Sequence, residues 1–491
     1  MAETNSSKHR EILAGIAREA MISRGLVPDF PPEVTAELSK ITGPATKEDI
    51  PVRDQRSLLW CSIDNDDSMD LDQLTAAEAM PDGAVKILVS IADVDAVAAK
   101  KTAIDTHASQ NTLSVYTPAA IFPMLPEKLS TDLTSLKQDE DRLSIVIEMA
   151  VSTDGSLQSS DIYCALVRNK AKLAYNSVAA WLDATGQVPD AVAKVKGLDE
   201  NLKLQDTAAK KLKALRFANG ALSFSTIETR PVFHGDTITG LEPAAKNRAM
   251  DIIEDFMVAA NGVTARFLES KNMASIRRVV RTPENWGRIA GLAAEKGFRF
   301  PSQPDPKPLE QFLEKMKASD PLHFPDISLS IIKLLGPGEY SVEMPGGKVE
   351  GHFGLAVKDY THSTAPNRRY PDLITQRLIK AAIAGRPSPY TPDELRALAR
   401  RCTDKEDAAK KAERQVEKSA AALLLSRRIG EEFDCIVTGA SEKGTWVRIF
   451  DPSVEGKLMG DVKGLDVGHS LRVKLVYTSV EKGFIDFRKV S

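Results

Sequence analysis

Cysteine is scarce. Cys61, Cys164, Cys402 and Cys435 are the only four among 491 residues, lie far apart and form no CxxC pair. That argues against a disulfide framework or a thiolate zinc site and leaves them as small buried hydrophobes. Long apolar runs are also missing: none approaches the roughly 18 residues a membrane span needs. Met1-Ala2-Glu3-Thr4-Asn5 lacks the charged-then-apolar pattern of a signal peptide, so a cytoplasmic location without a membrane partner is expected. Net charge is only -3, which gives no global footprint of nucleic-acid binding. Hydrophobic and charged contents of 42% and 27% are those of a globular protein, and the length suggests about two to four domains.

The charge that exists is unevenly placed. Asp64-Asn65-Asp66-Asp67-Ser68-Met69-Asp70-Leu71-Asp72 holds five carboxylates in nine residues, directly after the apolar run Leu58-Leu59-Trp60-Cys61-Ser62-Ile63. Such a concentration beside a core-like strand calls for a compensating cation. Hard divalent ions take carboxylate, water and phosphate oxygens, which suits phosphoryl chemistry. In an extended chain Asp64, Asp66, Asp70 and Asp72 share one face. A solvated acidic loop accounts for the same run. An EF-hand does not: its sixth position would be Met69 and its twelfth Thr75. Residues 358–428 carry 16 Lys and Arg against 9 Asp and Glu, so an acidic site could face a basic wall that positions phosphates. A pair of solvated helices is the plainer account of that segment.

Periodicity places helices at His9 to Arg24 and Glu33 to Ile41, β-rich runs at Val85 to Asp93 and Leu143 to Val151, and amphipathic helices at Ala249 to Ser270 and Pro371 to Ala384. The Pro- and Gly-rich stretch from Asp320 to Gly351 reads as loops, and Asp393 to Arg428 as a long charged helix with one break. From 430 onward, short β-prone runs between Gly and Asp turns suggest five strands closing as an OB-type barrel. Phe433, Trp446 and Phe450 are its candidate base-stacking aromatics, although core packing is expected for at least two of them.

Further blocks follow the acidic run in fixed order: Ile91-Ala92-Asp93-Val94, Val115-Tyr116-Thr117-Pro118, Pro123 through Ser130, His352-Phe353-Gly354-Leu355-Ala356, and Ala365-Pro366-Asn367-Arg368-Arg369-Tyr370-Pro371-Asp372-Leu373. Together they resemble the ribonuclease II/ribonuclease R (RNB) family of 3′-to-5′ exoribonucleases. The resemblance implies an α+β RNB-type catalytic domain over 50–428, a C-terminal all-β OB-fold barrel of the S-one type over 429–491, and a short helical region over 1–49. It also implies hydrolysis of single-stranded RNA from a free 3′ end to nucleoside 5′-monophosphates, by two Mg²⁺ ions or Mn²⁺ in their place, in a monomer.

Carried onto this sequence, the resemblance assigns metal binding to Asp64, Asp70, Asp72 and position 73, with Asp72 the carboxylate on which turnover most depends. Arg368 becomes the clamp on the scissile phosphate and Glu413 a carboxylate near the last nucleotide. Tyr116 and Phe224 become the aromatic pair around the terminal bases, and Tyr175 and Glu254 the contacts to the terminal nucleotides and the ribose hydroxyl. Trp446 is the candidate contact on the barrel. Of the seven histidines, His352 and His362 are expected to pack or orient, and none to act as base.

Two departures stand out. Position 73 is Gln where the family has a fourth carboxylate, which lowers expected metal affinity and raises the alternative of an inactive member that binds RNA 3′ ends as a regulator. Ahead of the acidic run stand only about 50 mostly helical residues where the family has two cold-shock barrels, so weaker holding of long RNA is expected.

Overall fold

The computed structural model describes residues 8–490 apart from 227, 228, 244, 322, 349, 442, 443 and 466. Both front-end helices are present, α1 (His9–Ser23) and α2 (Pro32–Leu38). Leu13, Ala17, Ala20 and Met21 of α1 are buried at helical spacing, which sets one face against the body. Strands β1 (Val52–Asp54), β2 (Cys61–Asp64), β3 (Gln73–Ala79) and β4 (Val85–Ala92) come next, followed by α3 (Ala103–Asn111) and the short ribbon β5 (Val115–Tyr116) and β6 (Ile121–Phe122). A long hairpin, β7 (Asp141–Val151) and β8 (Leu157–Arg168), leads to β9 (Ala171–Ala174). Gly155 turns that hairpin at φ +86°, and a Cβ there would collide with the Lys211 carbonyl, so the position requires glycine.

Seven strands form one mixed sheet in the order β1-β8-β7-β4-β3-β2-β9. Its centre is antiparallel, whereas the outer pairs β1-β8 and β2-β9 are parallel. Next come α4 (Tyr175–Leu182), α5 (Asp190–Ala193), α6 (Leu198–Ala218), the hairpin β10 (Thr229–His234) and β11 (Thr237–Pro243), and α7 (Arg248–Ser270). After them stand β12 (Ser275–Val279), α8 (Trp286–Glu295), α9 (Pro306–Ser319), α10 (Phe324–Leu335), β13 (Glu339–Glu343), α11 (Tyr370–Ile383) and α12 (Pro392–Leu425). One apolar cluster joins Ile87, Val89 and Ile147 of the sheet to Phe256 of α7 and Leu378 of α11.

Two expectations are corrected here. The stretch read as loops holds α10 and β13: Pro325 sits in the first turn of α10, where its missing N–H costs nothing, and Gly336 ends the helix at φ +88°. The long charged helix is one unbroken element of 34 residues, since no Gly or Pro interrupts it and Thr391 and Glu394 form a capping box at its start.

The C-terminal barrel closes in the order β14 (Glu432–Ser441), β15 (Gly444–Ile449), β16 (Val454–Met459), β18 (Phe484–Lys489), β17 (Ser470–Ser479). Val437, Val447, Val473 and Phe487 fill it, joined by Ala422 and Leu425 from the end of α12. Arg448 of β15 pins it to the body by donating to Asp326 of α10 at 2.7 and 3.2 Å. Phe433 belongs to this interior, against Phe487, so it is no base-stacking residue. All four cysteines are buried and unbridged. No helix among the described residues is long and apolar enough to cross a membrane.

Candidate active site

The acidic run is not one extended face. β2 ends at Asp64, residues 65–68 turn, and the chain continues as coil until β3 starts at Gln73. The turn is held by Asp64 itself, whose Oδ1 accepts from Asn65 N at 2.7 Å and Ser68 Oγ at 2.9 Å. Asp66 and Asp67 point to solvent. Ser135 staples the following coil: its Oγ donates to the Met69 carbonyl at 2.7 Å and accepts from Leu71 N at 3.1 Å. This leaves Asp70 half-buried and Asp72 buried.

Asp72 is held from two sides. Its Oδ2 lies 3.0 Å from Arg368 Nε, and its Oδ1 accepts from the backbone N of Asn367 at 3.2 Å. Burial pushes its carboxyl up to about 7, against the pull of Arg368 and with a further push from Asp70. Asp70 is raised too, mainly by burial. The Tyr116 hydroxyl donates to Asp70 Oδ2 at 3.3 Å, and the Tyr116 backbone N donates to Glu413 Oε1 at 2.9 Å. Glu413 is likewise raised by burial. Five predicted residues, Asp70, Asp72, Tyr116, Arg368 and Glu413, are therefore brought together. Backbone pairing explains how: Ser114 N donates to the Arg368 carbonyl at 3.0 Å, and Leu113 bridges Arg369.

Tyr175 joins them from the other side. Asp64 is in register with Ala174 across β2-β9, and burial and the Asp64 carboxylate both raise the Tyr175 hydroxyl. Three further predicted residues make no hydrogen bond, ion pair or ring contact with these groups among the described residues. Glu254 pairs with Arg216 at 3.4 Å and with Lys246. Phe224 packs against the cluster of α8, α9 and α10, out of ring contact with Tyr116 among the described residues. Trp446 is half-buried on β15, on the face that alternates with the barrel interior.

The basic wall is partly consumed internally. Arg377 pairs with Asp95 and Asp105, and Lys380 with Glu48, Asp93 and Asp95. Arg368 reaches the acidic run and keeps 45% of its side chain exposed, against 2% for Asp72, so part of the guanidinium faces open space. His352 and His362 pack as expected, with His362 Nδ1 2.8 Å from the Tyr340 hydroxyl. Sequence reasoning missed Asp372, whose Oδ1 accepts from Thr364 N and Ala365 N, both at 2.8 Å, and from Arg369 Nη2 at 2.7 Å. It also missed Asn367, whose Oδ1 accepts from Thr134 Oγ1 at 2.5 Å. An acid in the first turn of a helix, after a Pro, was the available signal for Asp372.

The donor set suits a hard cation. Asp64 and Asp70 offer carboxylate oxygens, and burial raises Asp70 and Asp72 as it does where positive charge is short. Among the described residues no three His, Cys, Asp or Glu side chains converge tightly enough to enclose an ion by themselves. Asp64 and Asp70 with water and phosphate oxygens fit magnesium's habit of using one or two carboxylates. No hydrogen bond among the described residues ties the Gln73 amide to these three aspartates.

Residues 52–385 match the RNB domain, and residues 431–490 match the RNase II-type exonuclease C-terminal S1 domain. The chain is 31% identical over 451 residues to Ribonuclease R of Aquifex aeolicus (strain VF5), covering 90% of this chain and 62% of the relative. It is 30% identical over 500 residues to Ribonuclease R of Vibrio cholerae, covering 94% and 60%. The chain thus spans about three-fifths of the length of these relatives. The solved structure of Mycoplasma genitalium RNase R in complex with ribose methylated single-stranded RNA superposes with a TM-score of 0.88 at 22% identity, over 97% of this chain and 78% of that one. This likeness shows the shared fold.

Proposed function

The chain belongs to the ribonuclease II/ribonuclease R (RNB) family, and from that premise we propose that it is a 3′-to-5′ exoribonuclease that removes nucleoside 5′-monophosphates from single-stranded RNA. The observation that carries the reading is a pair of linked groups: hydrogen bonds join Glu413, Tyr116 and Asp70, and Asp72, held by Arg368, feels the Asp70 charge. It sets an oxygen-donor pair beside a half-exposed guanidinium, which is what a phosphodiester requires.

In the proposed reaction water adds to the phosphorus of the terminal nucleotide. The bond to the 3′ oxygen of the penultimate nucleotide breaks, and that oxygen takes a proton to become the new 3′ hydroxyl. Asp64, Asp70 and Asp72 would hold divalent cations, Mg²⁺ or Mn²⁺; bound there, such ions supply Lewis acidity to the attacking water and the departing oxygen. Arg368 binds the phosphate through its exposed edge and offsets charge in the transition state. The Asn367 N–H holds Asp72, and Asp72 in turn fixes the guanidinium so that little reorganisation is left. Tyr116 and Tyr175 flank the carboxylates and position the last nucleotides, a contact of about 1–3 kcal/mol per stacked base. Phe224 is assigned with Tyr116 to the terminal bases, Glu254 with Tyr175 to the terminal nucleotides and the ribose hydroxyl, and Trp446 to RNA on the barrel.

Gln73 favours a second reading, an inactive family member that binds RNA 3′ ends. Incubation of the protein and of Asp72→Asn with 5′-labelled single-stranded RNA and matched DNA across a Mg²⁺/Mn²⁺ titration separates the two. Shortening from the 3′ end, on RNA only and lost in Asp72→Asn, supports the enzyme. Binding without shortening at every metal concentration supports the regulator.

A further inference from the structure

α12 sends Glu413 to the active site, and on adjoining turns it sends Lys411, Arg414 and Lys418 to a separate open groove of about 660 Å³. The groove's other walls are α1 and the turn between β17 and β18. Arg24, just past α1, and Lys482, in that turn, bring the lining to five cations against two carboxylates, Glu19 and Glu481. None of the residues that line it belongs to the cluster around Asp72.

What distinguishes these cations is that they are unspent. Arg369, Arg377, Lys380 and Arg448 all pair with carboxylates. Among the described residues none of the five in the groove has such a partner; Arg24 donates only to neutral groups, the Ala20 carbonyl, Ser23 Oγ and Gln415 Oε1. Five cations gathered against only two carboxylates leave an excess of positive charge that raises the local concentration of anions. Lys411 and Lys418 are seven residues apart, about 10 Å along the helix axis, which suits successive phosphates better than one small anion. Phe484 stands at the rim, 54% exposed, and offers a face on which a base can stack.

We infer that this groove holds the phosphodiester backbone of single-stranded RNA outside the segment in the active site. The choice of RNA as occupant rests on the proposed function, but the binding does not require hydrolysis. Three of the groove's cations, Lys411, Arg414 and Lys418, lie along α12, the helix that also carries Glu413 to the active site, and this shared helix favours a strand continuous with the substrate as the occupant.

The test uses the full chain, labelled single-stranded RNAs of about 5 and about 25 nucleotides, and EDTA to suppress turnover. In Lys411→Gln/Lys418→Gln/Lys482→Gln, affinity for the long RNA should fall at least about tenfold at low salt, and the slope of log affinity against log salt should shrink by about 2. Affinity for the short RNA should stay unchanged. Phe484→Ala, an independent change at an exposed site, should weaken long-RNA binding several-fold and leave the salt slope as it was. The inference is overturned if both variants bind long RNA as the parent does, if short RNA is weakened equally, or if the parent binds an acidic peptide or anionic vesicles in preference to long RNA. Hydrolysis of the short RNA with Mg²⁺ is scored separately. Groove-dependent binding without hydrolysis leaves the inference standing and removes the enzyme; hydrolysis with no groove effect does the reverse. A parent that binds neither RNA removes both.

Discussion

Arg368 Nε stands 3.0 Å from Asp72 Oδ2, with the aspartate buried and the arginine half-exposed. The pair is asymmetric, and so are the consequences of breaking it. Deleting a partner of a buried charge costs about 3–5 kcal/mol when the remaining group must stay ionised. Asp72 need not, since burial already pushes it up to about 7, and protonation relieves most of the penalty. Arg368→Ala should therefore lose only about 1 kcal/mol of stability while kcat falls about 10²- to 10³-fold. Arg368→Lys should be nearly as slow, because a point charge cannot copy the fork. Denaturant titration beside single-turnover hydrolysis checks both; a variant that unfolds but retains its rate contradicts the assignment.

Asp372 acts one step further away. Its buried carboxylate holds Thr364 N, Ala365 N and Arg369, and so shapes the turn that delivers Asn367 N and Arg368 to Asp72. Asp372→Asn can still accept from the two N–H groups but gives up the charge opposite Arg369. We expect a kcat drop of about tenfold with KM nearly constant. Asp372→Ala leaves those donors orphaned and should cost about 2–4 kcal/mol. If Asp372→Asn is as fast as the parent, the turn does not depend on that carboxylate.

Gln73 bears on the metal. If an amide in place of a carboxylate weakens the site, Gln73→Asp should lower the Mg²⁺ concentration for half-maximal hydrolysis by about tenfold, since each added ligand charge strengthens a hard-cation site. An unchanged or higher midpoint would mean that position 73 lies outside the coordination sphere. Isothermal titration of Mg²⁺ in the absence of RNA gives a readout that does not depend on turnover.

Much of this architecture was legible in the chain, for identifiable reasons. Local periodicity was enough for α1, α7 and the barrel, and for the presence but not the continuity of α12, where apolar spacing and turn residues act within one element. The resemblance of motif blocks pointed to Asp70, Asp72, Tyr116, Arg368 and Glu413, whose meeting depends on pairing between segments some 250 residues apart, as at Leu113 and Arg369. Three things were not readable. α10 lay hidden between Pro and Gly, which punctuate a helix at its ends as readily as they make a loop. Which of the barrel aromatics would turn inward was hidden, and it is Phe433 but not Phe450, because strand alternation, not aromaticity, decides the face. The consumption of Arg377 and Lys380 by Asp95, Asp105, Asp93 and Glu48 shows why a local count of basic residues overstates a phosphate-binding wall: charge is available only where tertiary structure leaves it unpaired.

His352 makes stability depend on pH in a definite sense. Burial lowers its imidazole from 6.5 to about 4, with Arg278 adding to the effect, and its Nδ1 accepts from Leu355 N at 3.2 Å. Above pH 6.5 the ring is neutral both folded and unfolded, and its contribution is fully present. Below 6.5 the unfolded chain gains a proton that the folded one refuses, so stability falls with pH until the folded ring titrates near 4. The full loss over that window is about 3 kcal/mol, shared with whatever other groups titrate there. His352→Asn keeps an acceptor for Leu355 N but cannot take the proton. Urea unfolding at intervals between pH 7.5 and 4.5 should then give a shallower decline for the variant than for the parent. Parallel curves would mean that the imidazole becomes charged in the folded protein as easily as it does in water.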